Sequence, residues 1–146
     1  MLNKQFDTDL HEHYDEIGRL RSYKLFKQLY GIELIDNPDE YAVDLIAMRD
    51  NVKVGYVEVE VRPAWDGVFT FNTLHIPSRK KKLLTNDLPT VLLAFNKQGS
   101  FCFICKDKTV LASPLVESGN KYITNGEFFY NVPVDKIKLI TIWKQL

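Results

Sequence analysis

Between Thr8 and Tyr30 the apolar residues Leu10, Tyr14, Ile17, Leu20, Phe26 and Leu29 recur mostly three or four positions apart, with charge between them. That spacing predicts one amphipathic helix, and Gly31 marks its end. The pattern then changes. IELI (Ile32–Ile35), YAVDLIAM (Tyr41–Met48) and VKVGYVEVEVR (Val52–Arg62) are rich in β-branched and aromatic residues, which predicts three strands. The turn formers Asp36-Asn37-Pro38-Asp39 and Arg49-Asp50-Asn51 separate them. Ser78 is placed to cap a short basic helix through Arg79, Lys80, Lys81, Lys82, Leu83 and Leu84, and Pro89 stops it from running on. TVLLAFN (Thr90–Asn96), SFCFIC (Ser100–Cys105) and TVLAS (Thr109–Ser113) read as further strands. The tail EFFYNVPVDKIKLITIW fits strand and short helix equally well.

Composition narrows the class. A chain of 146 residues, 45% hydrophobic, can bury one core and is short for two domains, so a single domain over residues 1–146 is expected. Lys plus Arg equals Asp plus Glu, at 19 each, so any nucleic-acid partner would have to be met by a local basic patch. The N-terminal MLNKQFDTDL lacks a signal-peptide core, and no apolar run approaches the roughly 20 residues of a spanning helix. No membrane association and a cytoplasmic location are the expectations. Cys102 and Cys105 have zinc-like spacing, but residues three apart on a strand point to opposite faces and no second pair exists. Both are expected in the core.

Asp44 is the misfit, since the other seven residues of YAVDLIAM are apolar or aromatic. A carboxylate there must be neutral, paired or holding a cation. In VEVEVR the alternation puts Glu58, Glu60 and Arg62 on one face and the valines on the other. Hairpin register decides whether Asp44 joins them. A three-residue loop, Arg49-Asp50-Asn51, pairs Asp44 with Tyr56 and brings all three acids to one face. A two-residue loop, Asp50-Asn51, puts Asp44 among the valines, because a one-place slip swaps faces. The three-residue loop is favoured, because Asn51 tolerates the left-handed conformation such loops need at their last position.

A first helix, a strand, an acid in an apolar strand and an acid-x-acid triplet in the next strand together resemble the PD-(D/E)XK nuclease superfamily. The likeness spans roughly Thr8 to Cys105 in element order. It implies an α/β restriction-endonuclease-like core, with a mixed central sheet flanked by helices in α-β-β-β-α-β order. It further implies a Mg²⁺- or Mn²⁺-dependent nuclease acting on DNA, with RNA second, in which Asp44 and Glu58 hold the metal. Glu60, standing where the family usually has Lys, would assist the attacking water. Val43 stands where the family motif has Pro. In a second frame Glu60 is the second acid and Arg62 binds phosphate. Arg79, Lys80, Lys81 and Lys82 would contact the nucleic-acid backbone, with Lys80 or Lys81 replacing the missing motif lysine, and Glu16 would be an extra acid. So small a core suggests a homodimer.

Taken singly, each element has a plainer explanation: EVEVR as a half-exposed strand, RKKK as a solvated surface, and the aromatics from Trp65 to Phe71 as core. The alternative reading is a catalytically silent module of the same fold that binds nucleic acid or protein. No phosphate loop, activated Ser or Cys, or dinucleotide fingerprint points to a small-molecule enzyme.

Overall fold

A computed structural model describes residues 8–39, 41–120 and 123–142. Helix α1 (Thr8–Tyr30) ends where the pattern says, at Gly31, whose φ of +64° supplies the left-handed residue that closes many helices. Strands β1 (Glu33–Asp36), β2 (Leu45–Arg49) and β3 (Val52–Arg62) follow as an antiparallel meander. β2 is shorter than the apolar run that predicted it. Tyr41 to Asp44 form a turn and bend, because the Asn37 side-chain amide donates to the Val43 carbonyl and the Asp44 carbonyl accepts from the Asn37 N–H.

Strand β4 (Thr73–Pro77) and the 3-10 helix Ser78–Lys82 lead to β5 (Thr90–Asn96), which pairs parallel to β3, with Tyr56 opposite Thr90. Then come β6 (Phe101–Lys106), helix α2 (Asp107–Leu111), β7 (Leu115–Asn120), β8 (Ile123–Pro133) and β9 (Lys138–Thr141). Among the described residues the strands form a mixed six-stranded sheet, β1-β2-β3-β5-β6-β9, and a three-stranded sheet, β4-β8-β7. α1 covers one face of the large sheet, where Leu25 and Phe26 join Leu45, Val57, Leu93, Phe95 and Ile104. The small sheet covers the other, where Leu74, Ile76, Tyr130 and Val132 meet Leu92, Ala94 and Phe103. Cys102 lies in the first core and Cys105 in the second, as alternation requires. Among the described residues no helix is long and apolar enough to cross a membrane.

An α/β architecture with a mixed central sheet agrees with the pattern, but the order of elements does not. Between β3 and β5 the chain makes a strand and a 3-10 turn where α-β-β-β-α-β requires a helix, and the face opposite α1 carries a sheet. Two local expectations also change. Ser78 makes no capping bond, and Pro77 occupies the cap position. Five residues dominated by like charges after a proline make a 3-10 turn rather than a longer helix. TVLAS is mostly the short helix α2, because Asp107 accepts from the Thr90 and Lys108 amides and turns the chain out of the sheet.

Close approach explains two glycines. A Cβ on Gly18 would meet Val59 Cγ1 at 2.9 Å, where α1 crosses β3. One on Gly55 would lie 2.6 Å from the Pro89 carbonyl oxygen, which also accepts from the Tyr56 N–H at 2.9 Å. Side-chain tips yield more easily than a bonded carbonyl. Gly55→Ala is therefore expected to cost about 2–3 kcal/mol and Gly18→Ala about 1 kcal/mol, read from urea unfolding midpoints.

Candidate active site

The β2–β3 hairpin sets the geometry. Its loop has two residues, Asp50 at φ 51° and Asn51 at φ 63°, as a type I′ turn requires. This corrects the three-residue loop, and alone it would leave Asp44 among the valines. A β-bulge compensates: Met48 pairs with Lys53 but Ala47 with Gly55, so Val54 is an extra residue on β3. The added place restores the face, and Leu45 pairs with Val57. Asp44, one residue earlier, is level with Glu58 rather than Tyr56.

Asp44 stands where β2 has ended and β3 continues. Its Oδ2 accepts the Val59 N–H at 2.9 Å, and its own N–H donates to Glu58 Oε1 at 3.3 Å. The carboxylate thus satisfies a β3 amide beyond the end of the paired strand. The bend is held by Asn37, whose Oδ1 also accepts the Asp39 N–H, while Asp39 Oδ1 accepts the Tyr41 N–H.

Glu58 is 5% exposed, and its Oε2 accepts from Lys80 Nζ at 2.7 Å. Burial, and then the charge of Asp44, push the Glu58 carboxyl up to about 7, against the opposing pull of Lys80. Lys80 reaches it because the 3-10 helix is anchored on both sides: Ile76 and Leu84 are buried before and after it. Thr85 and Asn86 donate to the Lys81 and Leu83 carbonyls. Lys80 is thus the basic residue that meets the acids. Arg79, Lys81 and Lys82 are exposed, and with Ser78 and Thr85 they line an open concavity of about 500 Å³.

Glu60 and Arg62 lie further along the same face, but they engage each other. Arg62 donates from Nε to Glu60 Oε1 at 2.8 Å and from its NH2 group to the His75 carbonyl at 2.7 Å. Two of the three acids therefore converge. Among the described residues no three His, Cys, Asp or Glu side chains gather as a metal-binding group, so an ion here would draw on Asp44 and Glu58. Cys105 is pushed up to about 12 by burial and by Glu60, against Arg62, and so lacks a thiolate for chemistry.

Glu16 is exposed on α1. Arg19, one turn on, is the helix residue that feels Asp44. Burial works against its charge but is outweighed by Asp15, Asp36 and Asp44, which hold Arg19 above its usual value. Sequence reasoning passed over both Arg19 and Asn37. The Asn-Pro-Asp turn signal at residues 37–39 was a handle on Asn37; Arg19 offered only its i, i+4 spacing from Asp15.

Folded Glu58 keeps its proton up to about pH 7, whereas an unfolded carboxyl releases it near 4.5. The native state then binds more protons between those values, so this stabilisation is complete below about 4.5 and lost as pH rises through about 7. Melts of metal-free protein from about pH 5 to about pH 8 should show Glu58→Gln gaining on the wild type, with a ceiling of roughly 3 kcal/mol. Lys80→Met should move the wild-type loss to higher pH, because it removes the cation that lowers Glu58.

No family model, no curated protein and no solved structure matches this chain in comparisons with known proteins.

Proposed function

We propose that the chain is a metal-dependent nuclease hydrolysing phosphodiester bonds in DNA, with RNA as the second substrate class. The observation that carries this reading is the meeting of Asp44, Glu58 and Lys80 at one point beside an exposed basic turn. Two neighbouring carboxyls, one of them buried, repel each other unless a cation joins them. Lys80 supplies one charge, and a divalent ion supplies two.

The residues fit such an ion. Mg²⁺ is usually held by one or two carboxylates, with water and substrate phosphate completing the shell, so Asp44 and Glu58 are a sufficient protein contribution. Bound there, Mg²⁺ or Mn²⁺ would neutralise phosphate charge and lower the pKa of a bound water.

The chain's own residues supply the rest. The Val59 amide fixes one oxygen of Asp44. Glu58 gives up its proton near neutral pH and becomes a full donor. Lys80, released from Glu58 Oε2, puts its ammonium on the charge that develops on phosphate. It takes the part of the strand lysine that Glu60 replaces. Glu60, locked by Arg62, has the smaller role of orienting the attacking water.

The alternative, a silent nucleic-acid-binding module, has one observation in its favour. Glu58 is neutralised by Lys80 and Glu60 by Arg62, so both glutamates are paired within the protein. Cleavage separates the two readings. With Mn²⁺ the purified protein should nick plasmid DNA, chelation should stop it, and Asp44→Ala or Glu58→Ala should lower the rate by about 100-fold or more. Lys80→Met should cost about tenfold or more, and Glu60→Gln less. Nicking that survives both acid variants would refute the assignment. Replacing Arg79, Lys81 and Lys82 together by Gln should reduce the slope of log binding constant against log salt by about 2–3 under either reading.

A further inference from the structure

The loop after β3 lines an open cavity of about 630 Å³ whose walls include Arg62, Trp65, Phe69, Phe71 and His75. It is separate from the carboxylate pair but built on the same strand. Arg62 is four residues beyond Glu58, about 13 Å along the rise of β3. The opposite wall, Thr73 to His75, runs directly into the basic turn that carries Lys80.

Two features describe what the cavity would take. Its aromatic lining is an edge-to-face series: Trp65 to Phe69 at 5.3 Å and Phe69 to Phe71 at 5.6 Å between centroids. The series ends on Phe71, which is 72% exposed, although a free phenylalanine ring is normally covered. Trp65 is 7% exposed, and its indole N–H is buried without an acceptor. That N–H is shielded from the cavity as well as from water.

The frame is rigid. The Lys97 N–H donates to the Trp65 carbonyl at 2.7 Å, the Trp65 N–H to the Arg62 carbonyl at 3.0 Å, and Asn96 Nδ2 to the Gly67 carbonyl at 3.3 Å. Asp66, an acid at the rim, accepts a hydrogen bond from Gln98. The cavity therefore offers flat apolar rings, with one cation, Arg62, and one acid, Asp66, in its wall and further cations along the adjoining turn. A purely apolar ligand would leave the cations unused, and a phosphate alone would leave the rings unused.

We propose that this cavity is a subsite for one unpaired nucleobase, stacked on the ring of Phe71, while the strand's phosphates follow Arg62 and the basic turn toward Glu58. The proposal rests on the nuclease reading, and it specifies single-stranded, flapped or flipped-out nucleic acid as the substrate. Every base has a stackable face, so recognition is by class rather than by sequence.

The test uses the full chain without divalent ions, so that nothing is cut. Two fluorescein-labelled probes of equal length are compared: an oligothymidylate and an abasic deoxyribose-phosphate strand. Trp143, the second tryptophan in the sequence, is changed to Phe so that emission reports Trp65 alone. The thymidylate is expected to bind about tenfold or more tightly than the abasic strand, and only the thymidylate should shift Trp65 emission. Phe71→Ala should remove that difference and leave abasic binding unchanged. Because the ring is mostly exposed, the fold should survive the change. Equal affinity for both probes, a difference that persists in Phe71→Ala, or no binding of either probe would each overturn the subsite. Mn²⁺-dependent nicking of the same preparations reports on the underlying reading separately. Nicking without base-dependent binding removes the subsite alone, and base-dependent binding without nicking removes the nuclease alone.

Discussion

Pairing β3 with β5 in the same direction obliges the chain to leave the far end of β3 and re-enter beside its beginning. With α1 already on one face of the sheet, the return runs over the other, and it carries the Trp65 loop, β4 and the basic turn. The aromatic cavity, the basic turn and Lys80 follow from that path. The cavity lies where the chain leaves β3, and Lys80 descends onto Glu58 shortly before β5 begins. The small sheet seals the face, which takes Glu58 out of water and moves its titration toward neutrality.

Against that background Asp44 depends on a matter of parity. A two-residue loop and a bulged residue are two departures from the simplest three-residue hairpin, and together they leave the acid on the same face. Neither departure alone would do so. β2 begins only at Leu45, after the bend that Asn37 holds, so a side-chain oxygen takes the place of a backbone partner for the Val59 amide. A carboxylate bound this way is held by the strand itself rather than by a flexible loop.

Much of the framework was legible in the pattern of residues. The span of α1, the closing Gly31, the whole of β3 and the extent of β5 follow from period and turn chemistry, which are local. β4 was not recognised, because its strand character depends on pairing with β8, distant in sequence. β7 pairs with β8, the next strand, and was missed because LVESGN is poor in strand-forming residues. TVLAS failed for the converse reason: its β-branched residues suggest a strand, but Asp107 diverts the chain. In the site, the alternation in β3 identified the shared face of Glu58, Glu60 and Arg62. It could not show that Arg62 would claim Glu60, or which member of RKKK would turn inward.

The acids and their cation are carried by separate stretches of chain. Asp44 and Glu58 belong to the hairpin, whereas Lys80 belongs to the connection between β3 and β5. Insertions or deletions within that connection would re-aim the amine while leaving the register of β2 with β3 intact. Strand pairing therefore places the acids, and the length of the connection places their cation.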